Sequence, residues 1–519
     1  MLSTAFRFAT IVALGGFVFG LDAALISGTV KYVSAEFGLS DLEIGTVVSA
    51  PGFGVLFALP VASILADKYG RRGTLQLIAA VYLVSATCSA ITPNFMALVA
   101  ARFIGGLAFT SLSLSAMYIG EIAPSNMRGK LVAMNQINIV VGLSAAYFIN
   151  YFIQQGVSNN AAWAVEWGII DSPWRWMLGT EILPALLWLG LLFTIPRSPR
   201  WLVLKNRLAE AKQVLSQLLP ANEVEAEIAL IQSSLATEKE TPSLQNQLKT
   251  LFSPAIRKAF WIGLTFAIVQ QITGINAILF YAPTVFEQIG VGTDAAFSQA
   301  VFVGLISVVF TVLALLFIDK IGRRPMTVWG LLWAVLSLLL CSYGFHRSTY
   351  TLTADALANM GDVMDTSQLL TLVGIEYGSD TAFKTALEQT LGAAAKTHES
   401  ALLQAAGNIP STLILFGILS FIAAFQFSVG PIMWVIFSEV FSTKVRGVAI
   451  PVFAFVTSVV SYLVQQFFPW QLSNMGARDI FLFYAVCSGI GLIILGRLLP
   501  ETKGKTIEEI EVELQQSAA

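Results

Sequence analysis

Apolar runs of about 20 residues, separated by short polar breaks, set the rhythm of this chain. Twelve can be marked, near 8–30, 42–66, 74–92, 95–119, 131–154, 174–195, 257–282, 296–318, 326–346, 410–437, 447–470 and 479–499. A helix rises about 1.5 Å per residue, so each run is long enough to cross a hydrocarbon core of about 30 Å. The pattern predicts six membrane helices, a polar stretch of about 60 residues, and six more helices. The polar stretch 197–250 is rich in Ala, Glu, Leu and Gln and predicts short amphipathic helices lying along the membrane surface. A second polar segment, 347–408, separates the ninth and tenth runs and predicts a helix over Thr381 to Leu391.

Charged residues make up only 12% of the 519 residues and hydrophobic ones 56%, with mean hydropathy +0.73. A soluble domain carries roughly a quarter charged residues, so the composition gives a polytopic membrane protein. Lysines and arginines gather at one set of helix ends, among them Arg7, Lys68, Arg71, Arg72, Arg128, Lys130, Arg197, Arg200, Lys320, Arg323, Arg324, Arg446 and Arg497. The positive-inside rule places that end, and both termini, in the cytoplasm. The external segment 347–408 carries seven acids against three bases. A net charge of −2, with the bases accounted for by topology, gives no support to a nucleic-acid partner, and none is expected. Cys88, Cys341 and Cys487 lie within apolar runs and predict buried thiols with no disulfide framework. The first run is too long for a signal-peptide core and is read as the first membrane helix.

The chain is written twice. D-K-Y-G-R-R at Asp67 to Arg72 returns as D-K-I-G-R-R at Asp319 to Arg324, 252 residues on. Glu121 with Arg128-Gly129 returns as Glu439 with Arg446-Gly447, 318 residues on, so the second copy has gained the external segment between its signatures. The organisation predicted is an N-terminal six-helix bundle (1–196), a helical linker (197–250), a C-terminal six-helix bundle (251–499) with the insertion 347–408, and a tail (500–519).

Three ionisable residues fall well inside the apolar runs of the first half: Asp22, Arg102 and Glu181. Each lies seven or eight residues from the external end of its helix, roughly 10–12 Å deep, so all three can meet. A charge at that depth costs about 3 kcal/mol on insertion scales and must be paired, hydrated or functional. An aspartate beside an arginine stays ionised, and one that loses that partner in a dry site takes up a proton. A carboxylate whose partner alternates can carry one proton per cycle; a static ion pair joining three helices is the plainer reading. His346 and His398 lie outside the membrane-helix interiors, so no histidine relay competes.

Gln270, Gln271 and Asn276 cluster in the seventh run, with Gln136 in the fifth. Neutral amides both donate and accept, so they can match the hydroxyls of a polar ligand without the desolvation cost of a full charge. Gly274 lies between Gln271 and Asn276, where a helix can open. Phe19, Phe280, Tyr281 and Trp434 could offer apolar faces to a ligand, although on the residues alone core packing is the better reading of them. At the basic helix ends Arg71, Arg72, Glu121 and Arg128 in the first half and Arg323, Arg324, Glu439 and Arg446 in the second form candidate acid–base clusters for an inner gate.

These strings, with G-F-V-F-G-L-D-A-A-L-I-S-G from Gly16, A-R-F-I-G-G from Ala101, E-I-A-P-S-N-M-R-G-K from Glu121, Q-Q-I-T-G-I-N from Gln270, S-E-V-F-S-T-K-V-R-G from Ser438 and P-E-T-K-G-K-T from Pro500, resemble the sugar porter family of the major facilitator superfamily. Among its members the chain is most similar to bacterial proton-coupled sugar symporters of the xylose permease type. The resemblance implies an all-α membrane fold of twelve helices in two pseudo-symmetric six-helix bundles that rock about a central site. It implies proton coupling at Asp22, Arg102 and Glu181, and sugar contacts at Phe19, Gln136, Gln270, Gln271, Asn276, Tyr281, Gly430 and Trp434. It implies no cofactor beyond the proton as coupling ion, a monomer in the lipid of a bacterial inner membrane, and transport in place of enzymatic catalysis. Leu143, Ser307 and Thr457-Ser458 depart from the symporters' polar or aromatic residues, and Arg197 stands where the family has a glutamate. The expected pocket is roomier, the expected inner gate weaker, and the sugar itself stays open, a polyol such as inositol fitting as well. Alternatives are a facilitative uniporter, disfavoured by Asp22, and a sugar sensor, disfavoured by a tail of only about 20 residues.

Overall fold

A computed structural model of the chain describes residues 2–123, 127–239, 244–360, 367–392 and 394–516. Helix α1 spans Leu2–Phe37. The segment Asp41–Ile91 is helical throughout except at Gly70 (φ 79°, ψ 162°), which divides it into α2 (41–69) and α3 (71–91). Then follow α4 (Phe95–Ile122), α5 (Arg128–Ser158), α6 (Pro173–Leu192), α7 (Arg257–Phe280), α8 (Thr293–Ile321), α9 (Arg323–His346), α10 (Ser411–Val440), α11 (Thr443–Asn474) and α12 (Ala477–Leu498). Counting the two limbs at Gly70 separately, twelve helices among the described residues are long and apolar enough to cross a membrane. Gly322 (φ 104°, ψ 160°) breaks the chain between α8 and α9 at the same place in the repeated hexapeptide. That backbone region excludes residues with a Cβ, so the motif's glycine sets the sharp reversal in both halves.

Small residues let helices approach until backbones touch. A Cβ on Gly20 would lie 1.9 Å from the Ile139 carbonyl oxygen, and one on Gly142 2.1 Å from that of Phe17, so α1 and α5 pack backbone to backbone. In lipid, where apolar side chains gain nothing by leaving their surroundings, such close contact drives helix association. The first half buries Phe8, Tyr82, Tyr118 and Trp188, and the second Phe266, Phe286 and Phe421. Large apolar side chains such as Ile91, Leu183 and Trp329 are exposed on the helix flanks, as a lipid-facing surface requires.

The halves join chiefly along α2–α11 and α5–α8. Their polar contacts lie toward the end opposite the arginine clusters, here the distal end. Gln466 on α11 accepts from the Ser49 hydroxyl at 2.7 Å and donates to the Leu42 carbonyl at 2.9 Å. Tyr147 donates to the Leu279 carbonyl at 2.6 Å. Asp294 accepts from Gln154 at 2.9 Å and Ser158 at 2.6 Å, and Lys31 donates to Thr293 at 2.5 Å. The structure therefore holds a conformation closed at its distal end.

At the basic end the linker forms Pro199–Leu204, Leu208–Leu218, Val224–Lys239 and Leu244–Leu251, and the tail forms a helix over Ile507–Gln516. The insertion folds around its own small core of Tyr350, Leu369, Phe383, Leu387 and Leu402. It contains the helix predicted from Thr381, observed as Asp380–Leu391, and a three-stranded sheet the sequence did not suggest. Strand β1 (Thr349–Thr351) pairs antiparallel with β2 (Glu376–Tyr377) and β3 (Gly407–Asn408), and the Thr349–Asn408 pairing zips the insertion's entry to its exit. His398 lies inside an insertion helix, Ala394–Ala406, and outside the membrane helices.

Gly45 tests the distal seam, because a Cβ there would stand 2.0 Å from the Gln466 carbonyl oxygen across the two halves. Gly45→Ala should open the α2–α11 contact and raise distal-side labelling of Tyr462→Cys by an impermeant thiol reagent about threefold or more. Gly120→Ala, whose methyl would meet nothing within 4 Å, should leave labelling unchanged. Equal labelling in the two variants would contradict the seam.

Candidate functional site

Asp22, Arg102 and Glu181 come together as their depths predicted. They are 1%, 2% and 3% exposed, on α1, α4 and α6. Arg102 forms an ion pair with one Asp22 oxygen, and the Glu181 carboxyl faces both the Asp22 carboxyl and Arg102. Asp22 Oδ2, Glu181 Oε1 and Arg102 Nε have no hydrogen-bond partner. Two of the three helices are irregular at this level. α4 passes through a 3₁₀ turn at Ala108–Thr110, one and a half turns beyond Arg102, and α6 is interrupted at Thr180–Glu181, so Glu181 sits at a break. Such interruptions mark places where a helix can adjust.

The sequence analysis missed Tyr82, a fully buried residue of α3 whose hydroxyl faces that of Ser111 and lies within the field of all three charges. Tyr82 also continues an aromatic run. Phe19 packs edge-on against Phe109 at 4.7 Å, Phe109 lies 6.4 Å from Tyr82, and Tyr82 lies 6.3 Å from Trp188. Phe19, a candidate sugar contact, is thereby linked by packing to the charged cluster.

The amide cluster of α7 is a connected network. α7 breaks at Gly274, which takes φ 84° with the Tyr484 ring only 2.4 Å from where its Cβ would be, and resumes at Ile275. Gln271 donates to Gln270 at 2.6 Å, while Asn276 donates to Gln271 at 2.7 Å and to the Ser461 hydroxyl at 2.7 Å. Gln465 also donates to Ser461, at 2.8 Å. Ser461 and Gln465 were not singled out, although a Gln465-Gln466 pair in an apolar run is as conspicuous as Gln270-Gln271.

The remaining candidates divide. Trp434 is 45% exposed and packs against Phe437, and Gln136 is half-buried on α5. Phe280 is half-buried against the core of the second half. Tyr281 is buried, its hydroxyl donating to the Gln465 carbonyl at 2.8 Å and its ring 5.1 Å from Phe468, so in this conformation it serves packing. Gly430 lies under the Phe425 ring, beside a break in α10 at Ser428 (φ −128°, ψ −98°). The departures also acquire a geometry. Ser307, Thr457 and Ser458 donate to the carbonyls of Val303, Phe453 and Ala454 four residues back, at 2.7, 2.9 and 2.9 Å. Their hydroxyl protons are committed to the backbone, which leaves that wall with few donors for a ligand.

At the basic end the acid–base pairs of the candidate gate residues join groups within one half. Arg71 bonds Glu121 at 3.0 Å and the Ala66 carbonyl at 3.3 Å; Arg323 bonds Glu439 at 2.8 Å and the Ile318 carbonyl at 3.3 Å. Arg72 donates to the Phe193 carbonyl and Arg324 to that of Gly496, both at 2.9 Å, so the second arginine of each motif caps the last helix of its own half. Arg446 donates to the Phe441 carbonyl at 3.1 and 3.0 Å, at the end of α10. The side chain of Arg128 lies outside the described residues. Each acid also takes a hydroxyl from the segment following the last helix: Glu121 from Ser198, Glu439 from Thr502 at 2.6 Å.

That symmetry explains Arg197. Its counterpart, one residue before Thr502, is Glu501, whose carboxylate accepts from the backbone N–H groups of Arg323 and Arg324 at 3.1 and 3.2 Å and so caps α9. Arg197 cannot accept, and instead stacks over Trp201 at 5.2 Å. The departure weakens the start of α3 within one half. Arg197→Glu should supply the missing cap, worth about 1 kcal/mol, and raise the thermal unfolding midpoint of detergent-solubilised protein. A midpoint unchanged or lowered would contradict this assignment.

With this geometry in hand, comparison with known proteins is direct. The family model described as "Sugar (and other) transporter" matches residues 8–376 and 389–514. The arabinose-proton symporter of Bacillus subtilis is 30% identical over 96% of this chain and 92% of that protein, and the D-xylose-proton symporter of Escherichia coli 29% identical over 98% and 95%. Among solved structures, the inward open conformation of the E. coli xylose transporter XylE aligns with a TM-score of 0.75 at 27% identity, over 98% of this chain and 99% of that one. Its partially occluded inward open conformation aligns with a TM-score of 0.71. Sequence motifs, helix plan and these alignments agree that the chain belongs to the sugar transporter family, with the major facilitator fold.

Proposed function

We propose that this protein carries a monosaccharide, or a polyol of similar size, into the cell together with a proton, by alternating access. The observation that carries the reading is the buried cluster of two carboxyls and one guanidinium. Arg102 neutralises only one of Asp22 and Glu181, and the two acids face each other in a site shielded from water. Like charges so close in a dry site cannot both persist, so the cluster is neutral with one proton aboard. Proton loss leaves a net negative charge that only water or a rearranged Arg102 can support. Opening to one side and then the other supplies such a change, and proton movement then follows the conformational cycle.

The basic end faces the cytoplasm on this reading, by the positive-inside rule. The distal seam closes the outside while sugar leaves inward. Gln270, Gln271 and Asn276 present donors and acceptors beside the broken backbone of α7, and Gln136, Phe19, Tyr281, Gly430 and Trp434 complete the sugar site as the halves tilt. The relatives named as arabinose and xylose symporters support the same chemistry. Arg71, Glu121, Arg323, Glu439 and Arg446 keep the inner ends of each half rigid, so that the gate moves as two bodies.

Sugar added to de-energised vesicles should alkalinise the outer medium, and an imposed proton gradient should drive accumulation. Asp22→Asn should abolish accumulation while sugar-for-sugar exchange persists at a comparable rate. Accumulation by Asp22→Asn equal to that of the unaltered protein would remove the coupling role.

A further inference from the structure

The external insertion grips one turn of the membrane domain. Its Lys384 is 9% exposed, pairs with Glu399 at 2.9 Å, and donates to the Gln288 side-chain oxygen at 2.7 Å. Gln288 ends the short helix Ala282–Glu287 that extends α7 beyond Tyr281. From there to α8 the insertion and its exit follow the chain residue by residue. Ser411 donates to the Ile289 carbonyl at 2.7 Å, Ile409 lies 3.1 Å from where a Gly290 Cβ would stand, and Gln404 lies 3.3 Å from that of Gly292. On its other flank Asp380 accepts from the Ala477 N–H at 3.1 Å, fastening the insertion to the start of α12.

The residues bordering this turn close the distal end. Glu287 precedes it, and Thr293 and Asp294 follow it. Lys31 donates to Thr293 and lies 3.4 Å from Glu287, while Asp294 takes Gln154 and Ser158. Gly290 takes φ 76°, so the turn follows a path that its own side chains do not dictate. An untethered turn of this kind loses conformational freedom each time the clasp forms. One held in place does not.

We infer that the insertion 347–408 is a positioning device for the outer gate: through Lys384 and Gln288 it holds the α7–α8 turn so that Glu287, Thr293 and Asp294 meet Lys31, Gln154 and Ser158 on the other half. Lys384 and Gln288 are positioning residues, acting through the clasp and touching no substrate. The inference rests on the alternating-access reading above.

The test is a distance measurement by electron–electron resonance between spin labels at Asn159 and Arg478, exposed at the distal ends of the two halves, in full-length protein with its native cysteines replaced. Gln288→Ala removes the tie and leaves Lys384 its ion pair with Glu399. The ratio of distal-open to distal-closed molecules should rise about fivefold, the scale set by freeing a residue or two of backbone. Asp294→Asn should raise it similarly, and adding Gln288→Ala to Asp294→Asn should raise it little further. Lys384→Met should reproduce the shift, and Lys384→Arg should restore the ratio of the unaltered protein. An unchanged ratio in Gln288→Ala, or full additivity with Asp294→Asn, overturns the inference. Failure of the alternating-access reading looks different: unaltered protein would then show no distance change on adding a panel of sugars and a proton gradient.

Discussion

One base shared between two acids in the dry interior of the first half is the constraint on which the rest depends. A guanidinium alone among apolar helices is untenable, and so is a second carboxylate beside a pair that is already neutral. Asp22, Arg102 and Glu181 must therefore be held by three helices at one depth, and the close approach of α1 to α5 through Gly20 and Gly142 fixes α1 in place for it. The interruptions in α4 and α6 lie beside these charges, where a change of proton occupancy can be answered by a change of backbone. Tyr82, buried with its hydroxyl beside that of Ser111, supplies a dipole at the same place. Packing thus creates an electrostatic conflict that a single proton resolves.

The two halves repeat one design and differ where function needs a difference. Their basic ends match nearly atom for atom: an aspartate and a glutamate on the first arginine of each hexapeptide, a helix-ending carbonyl on the second, and a hydroxyl on the glutamate. These brackets stay within one half and make each end rigid. The charged cluster belongs to the first half alone and the amide network to the second. On the proposed function, proton chemistry and ligand chemistry are carried by separate bodies, and relative motion of the bodies is what links them.

How much of this was legible in the sequence depends on the length scale of each signal. Twelve apolar runs and a repeated hexapeptide are long-range patterns, and they gave the helix plan. Asp22, Arg102 and Glu181 stood out because charge is rare in such runs, and the opening of α7 at Gly274 could be read because glycine lay between two amides. Tyr82 gave no warning, since an aromatic in an apolar helix is ordinary and only its place beside the three charges sets it apart. The break at Ser428 carried no special residue at its own position. That the acids and bases of the candidate inner gate share an end was legible, because charge is concentrated there, but which helix each one reaches was not. Strands of two or three residues are too short to show alternation, so the sheet of the insertion was invisible.

The contrast between the two ends explains how such a molecule can move. The basic-end pairs are partly buried, with Arg71 and Glu121 side chains 10% and 9% exposed, and breaking one leaves a charge without a partner. The distal contacts are of another kind. Lys31 is 46% exposed and 3.4 Å from Glu287, and Gln466, Gln154 and Ser158 are neutral groups that water can satisfy once separated. Exposed ion pairs and neutral hydrogen bonds each contribute on the order of 1 kcal/mol or less net, because solvent competes for the same groups. A seam of a few such bonds closes firmly as a set and opens without stranding any member. Rigid brackets inside each half, joined to an exchangeable seam between the halves, give two bodies whose relative tilt is inexpensive while their interiors stay fixed. On the proposed function, that is the mechanical condition under which a proton gained or lost at the Asp22–Arg102–Glu181 cluster decides which way the molecule faces.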